Sequence, residues 1–184
     1  MHLPDPVTGV VPPGRFRMEM HELEGIWVDP PQFATSSTRR PIWEKWQEAT
    51  AALRGAVPVA AAWVDGSFFS DKLNPGDLDC VWLIDDVQLA TATMQTDRRR
   101  LISIFAGNQL RTVGIPVDSF VLPWRRRPEI ASRDEFDDAY LKARGYWDDL
   151  WQRKRTGPKG AQPTRADALP RRGYLEVVLD DFPG

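Results

Sequence analysis

Two almost continuously apolar runs, residues 57–64 and 78–84, flank a single loop rich in Gly, Ser, Asn and Pro. A strand that is apolar on both sides must be covered on both faces, so these runs predict two central strands of a sheet backed by helices. Pro58 is expected near the start of the first strand, where a missing N–H donor is tolerated. The chain has 184 residues, which is room for one domain with a real core.

The remaining segments supply the covering layers. Pro41 suits a first helical turn, and Ile42, Trp43, Trp46, Ala49 and Leu53 follow at helical spacing, with Gly55 placed to end the helix. Residues 97–112 read as a second helix closed by Gly114, and residues 115–122 as a third strand ended by Pro123. Residues 134–153 read as another helix, with Phe136, Tyr140, Trp147 and Trp151 as packing candidates, and residues 173–179 as a short last strand. Residues 16–28 fit either a strand or a short helix, and Asp85-Asp86 is expected to end a strand and begin a turn. The expected organisation is one α/β (α+β) domain over 1–184. Its core runs from about 38 to 155, after an extended segment 1–15 and before a flexible loop of about 156–172.

Composition narrows the class. Hydrophobic residues make up 42% and charged residues 27%, as in ordinary globular proteins, and the net charge is -2. That charge provides no global field for nucleic acid or membrane. Three basic clusters, Arg98-Arg99-Arg100, Arg125-Arg126-Arg127 and Arg153-Lys154-Arg155, read first as solvated faces and second as phosphate contacts. The one cysteine, Cys80, lies in an apolar run and reads as a buried small residue. One Cys and two His disfavour a structural zinc site. The N-terminal stretch lacks a basic region followed by an apolar one, and no run approaches a membrane span, so a cytoplasmic setting without membrane attachment is expected. Nothing in the sequence sets an oligomeric state.

The chemistry concentrates in residues 65–79. Asp77 and Asp79 are two apart at the edge of a predicted strand, so alternation puts both carboxylates on one face and Leu78 on the other. Two acids on an otherwise apolar strand repel each other, and a divalent cation would hold both ionised. All-oxygen ligation suits Mg²⁺ or Mn²⁺. Gly66-Ser67 follows a buried strand directly, where glycine lets backbone amides approach a phosphate and serine adds a donor. Lys72 either neutralises phosphate charge or is a solvated loop lysine, and Asp65 is expected to orient the loop. Asp118 lies within another apolar strand. If that strand neighbours the first pair, about 4.8 Å away, Asp118 can share their cations.

Gly66-Ser67, nine intervening residues, then Asp77-Leu78-Asp79 and a later strand residue Asp118 resemble the nucleotidyltransferase superfamily of the DNA polymerase β type. Lys72, Pro75 and the flanking Val-Asp-Gly-Ser-Phe look closest to small uncharacterised bacterial and phage members. The resemblance is close over residues 63–83 and loose elsewhere. It implies a small mixed sheet backed by helices. It also implies Mg²⁺-dependent transfer of a nucleoside monophosphate, with AMP expected, from a nucleoside triphosphate to a hydroxyl. Asp77, Asp79 and Asp118 would be the catalytic, metal-binding carboxylates, and Gly66 and Ser67 would hold the triphosphate, with Lys72 beside them. By analogy the acceptor is a protein or tRNA in a toxin–antitoxin or phage-defence setting. The chain departs from the pattern after Asp118, where only one helix, a loop and a short strand follow, so the acceptor region is minimal or supplied by a partner. A non-catalytic nucleotide-sensing or partner-binding module of the same fold is the competing expectation.

Overall fold

The structure is a computed structural model describing residues 4, 5, 7–125, 134–158 and 160–180. Its centre is one five-stranded mixed sheet. The strands are β1 (Gly14–Arg17), β2 (Ala61–Asp65), β3 (Leu78–Asp85), β4 (Val117–Trp124) and β5 (Gly173–Val178), in the order β1-β5-β2-β3-β4. β2 is antiparallel to both β3 and β5, whereas β3–β4 and β1–β5 are parallel. The α/β (α+β) class expected from the sequence is therefore the one observed. Among the described residues, no helix is long and apolar enough to cross a membrane.

Among the described residues five α-helices, α1 (Met20–Trp27), α2 (Arg39–Ala56), α3 (Asp86–Thr93), α4 (Thr96–Ala106) and α5 (Glu135–Trp151), accompany the sheet. The central strands are covered on both faces, and alternation sends their side chains into two separate clusters. Ala62, Val64, Cys80, Trp82 and Ile84 join Trp43, Trp46 and Leu53 of α2 and Ile102 and Phe105 of α4. Trp63, Val81 and Leu83 point the other way and meet Leu122, Tyr174 and Trp151 of α5. Trp27, Trp43, Trp46, Trp63 and Trp82 are fully buried, so these tryptophans serve packing. Cys80 is buried and free, accepting from Trp46 Nε1 at 3.3 Å, and burial pushes its thiol well above the ordinary range.

Several boundaries differ from the sequence reading, each for a local reason. Residues 16–28 form both a strand end and a helix. Residues 57–60 precede β2 rather than belong to it, and Val59 N–H bonds the Asp180 carboxylate at 2.8 Å. Gly55 lies inside α2, which runs one residue further. Asp85 ends β3 as expected, but what it begins is α3 rather than a turn: it caps that helix, accepting from Val87 N–H at 3.1 Å and Gln88 N–H at 3.0 Å. The helix expected over 97–112 stops at Ala106, where Gly107 and then Asn108, at φ 53°, leave helical geometry. A 3-10 turn, Leu110–Val113, follows. Pro123 lies within β4 rather than after it, which an edge strand tolerates. Phe136 is 60% exposed instead of packed. Arg126 and Arg127 of the middle basic cluster lie outside the described residues.

Candidate functional site

Strand pairing brings acids from three strands into one row at one end of the sheet. Asp65 on β2 is the register partner of Asp79 on β3, and Asp79 is the partner of Asp118 on β4. Neighbouring strands are about 4.8 Å apart, so the three carboxylates rise side by side. They share the sheet face that carries Trp63, Val81 and Phe120, by alternation along each strand. Asp77, one residue before β3, reaches the same place. Arg111 shows this, because its Nη1 donates to Asp77 Oδ2 at 2.7 Å and to Asp118 Oδ1 at 3.3 Å. Asp77 and Asp118 thus share one arginine, and Asp118 is the strand partner of Asp79.

Gly66 lies directly against Asp79. Its φ is 95°, a backbone conformation that side chains disfavour, and a Cβ there would run into Asp79 Oδ2. The glycine is therefore required by both conformation and space. Ser67 begins a short 3-10 turn, Ser67–Phe69, and its carbonyl accepts from Ser70 Oγ at 2.7 Å. Lys72 is exposed further along the loop and makes no ion pair among the described residues.

Two arginines that sequence reasoning did not single out hold this loop. Arg39 at the start of α2 is 1% exposed and donates to four carbonyls: Trp27 at 2.8 Å, Phe68 at 2.7 Å, Ser70 at 2.7 Å and Lys72 at 2.6 Å. It lies 3.6 Å over the Phe33 ring, and burial lowers its pKa to about 10, which leaves it charged at neutral pH. Arg172, just before β5, pairs with Asp65 and donates to the Gly66 carbonyl at 2.9 Å. Asn74 fastens the far side of the loop, accepting from Ser36 Oγ at 3.1 Å and Ser37 N–H at 3.0 Å. Asp65 thus orients the loop through Arg172, as the sequence suggested.

The electrostatics are those of a crowded anionic site. Burial, and then the charges of Asp77 and Asp118, push Asp79 up to about 6. Burial pushes Asp65 up to about 7, with Arg172 opposing it. The donor set is all oxygen, which suits Mg²⁺ or Mn²⁺ by chemistry. The Arg111 guanidinium already stands between two of the carboxylates, where a small cation would be stabilised. As they stand, no three His, Cys, Asp or Glu side chains among the described residues are grouped closely enough to hold a metal ion.

Arg111 was missed because a helix through residue 112 would present it as one more solvated cation. The Gly107-Asn108 pair was the available signal, since such a pair commonly ends a helix. The model of a family of unknown function, DUF6932, matches residues 5–177. No curated protein and no solved structure matches the chain.

Proposed function

We propose that this chain, which belongs to the DUF6932 family, is a divalent-metal-dependent nucleotidyltransferase that moves a nucleoside monophosphate from a triphosphate to a hydroxyl acceptor. The observation that carries the reading is the pairing of Asp79 with Asp118 on adjacent strands, with Gly66 packed directly against Asp79. AMP as the transferred group and a protein or tRNA acceptor belong to the same proposal and rest on the resemblance of Gly66-Ser67, Asp77-Leu78-Asp79 and Asp118; a cytoplasmic setting is proposed with them on the composition, in which Cys80 is the one cysteine.

Each residue has a distinct task in this reading. Asp77, Asp79 and Asp118 would hold Mg²⁺ or Mn²⁺, which when bound neutralises charge on the triphosphate and the acceptor oxygen. The amides of the Gly66-Ser67 turn and the Ser67 hydroxyl would donate to phosphate oxygens. Asp118 would help take the proton of the acceptor hydroxyl. The acceptor oxygen bonds to the α-phosphorus as the bond to the β-bridging oxygen breaks, and pyrophosphate leaves. Arg39 and Arg172 act earlier, by fixing the loop that supplies these donors.

One observation favours a second reading. The carboxylates are held by Arg111 rather than grouped for an ion, which also suits a non-catalytic nucleotide-sensing or partner-binding module. Pyrophosphate release separates the two. The protein is incubated with Mg²⁺ or Mn²⁺ and each of the four triphosphates, with and without host lysate, beside an Asp77→Ala/Asp79→Ala variant. Release that requires both aspartates supports the enzyme. Nucleotide binding by the folded wild type with no release, in lysate or alone, supports the sensing module.

A further inference from the structure

We propose that Arg111 is the internal counter-ion of the acidic centre, and that a divalent cation takes its place between Asp77 and Asp118. The inference rests on the metal-dependent reading above and adds to it the event that opens the site. A single guanidinium nitrogen, Nη1, bonds Asp77 Oδ2 at 2.7 Å and Asp118 Oδ1 at 3.3 Å. These acids come from two separate segments, so the nitrogen occupies the point where their negative charges converge. Without a cation at that point, the two carboxylates and Asp79 would repel one another across adjacent strands.

The mounting of Arg111 suits an exchangeable group. It sits on the short turn Leu110–Val113, not on a long helix or a strand. Leu110 anchors that turn and is 2% exposed, whereas the Arg111 side chain is 51% exposed. The guanidinium can therefore swing into solvent without disturbing the core. Arg39 and Arg172 contrast with it, because Arg39 is buried, the Arg172 side chain is only 14% exposed, and both bond backbone carbonyls. Once released, a planar guanidinium beside the centre is suited to a phosphate oxygen pair, a role that a fixed structural arginine could not take up.

Competition gives the test. Mn²⁺ binding to the full chain, without nucleotide and at low salt, is followed by loss of the free-ion paramagnetic resonance signal. Removing a half-exposed competing charge in Arg111→Gln should tighten Mn²⁺ binding about fivefold. Arg111→Lys, which keeps the charge, should restore affinity toward that of the wild type. Equal or weaker binding by Arg111→Gln, beside a wild type that binds Mn²⁺, would overturn the exchange and leave the metal site standing. No Mn²⁺ binding by wild type or variant would remove the metal-dependent reading itself. A second measurement uses only the wild type. Mn²⁺ should accelerate phenylglyoxal modification at Arg111, read by peptide mass spectrometry, while unchanged or slowed modification would overturn the exchange.

Discussion

Asp79 on β3 and Asp118 on β4 are register partners across a parallel pair of strands, and Gly66 is packed against the Asp79 carboxylate. This relationship joins the two halves of the site. It sets acids from different strands side by side and leaves backbone, not side chain, beside them. The energetic consequences can be measured without knowing the substrate.

Asp79 should destabilise the metal-free protein at neutral pH. Burial and its acidic neighbours raise it from 3.8 to about 6. A raised folded-state value means that its favourable contribution is complete below 3.8 and is lost as pH rises through about 6. Asp65, raised to about 7, works in the same direction. Asp79→Asn should therefore stabilise the metal-free chain at pH 8 by about 2 kcal/mol and gain little at pH 4. Urea unfolding in chelator at the two pH values checks this, and an equal effect at both would contradict the assignment.

Mn²⁺ affinity should fall as pH drops through about 6, because Asp79 must be ionised to serve as a ligand. In Asp79→Asn the remaining weak binding should lose that step. Calorimetric titrations between pH 5 and 8 would show it, whereas a wild-type affinity flat across this range would count against Asp79 as a ligand.

Gly66→Ala should be costly out of proportion to its one added carbon. The φ of 95° alone is worth about 1–3 kcal/mol of strain, and the Cβ also meets Asp79 Oδ2. Loss of nucleotide binding should accompany a lowered unfolding midpoint. A variant as stable and as competent as wild type would show that the loop has another conformation.

Arg39→Leu should destabilise the fold by about 3 kcal/mol or more, because four carbonyls lose their donor in a buried place. Arg39→Lys, with three donors and no planar fork, should recover only part of this. Chemical denaturation of both variants provides the check, and a neutral Arg39→Leu would contradict the proposed clamp.

The central strands were legible because burial on both faces leaves a local signature, an apolar run without alternation. The face of Asp79 was legible for a related reason, since alternation along a strand fixes it, whereas Asp77 lies one residue before β3 and meets the centre through Arg111. The pairing of Asp79 with Asp118 was not legible from spacing, because it depends on which strands become neighbours. α3 escaped notice because its residues, with Val87 exposed and only Ala92 buried, carry little helical periodicity. Its one clear marker was the capping Asp85. Arg39 and Arg172 were invisible because their partners, backbone carbonyls and for Arg172 also the Asp65 carboxylate, lie mostly far along the chain, and no residue-type pattern announces those. Arg111 was hidden by a helix read six residues too long, from Ala106 to Thr112.

The most direct test of the central claim is label transfer from two forms of the same triphosphate, one labelled at the α-phosphate and one at the γ-phosphate. Both are incubated with Mg²⁺ or Mn²⁺, the full chain and host lysate, beside the single variants Asp79→Asn and Asp118→Asn. Acceptor labelling is expected from the α-labelled form only, dependent on metal and lost in both variants. Labelling from the γ-labelled form, or α-label transfer undiminished in the variants, would contradict it.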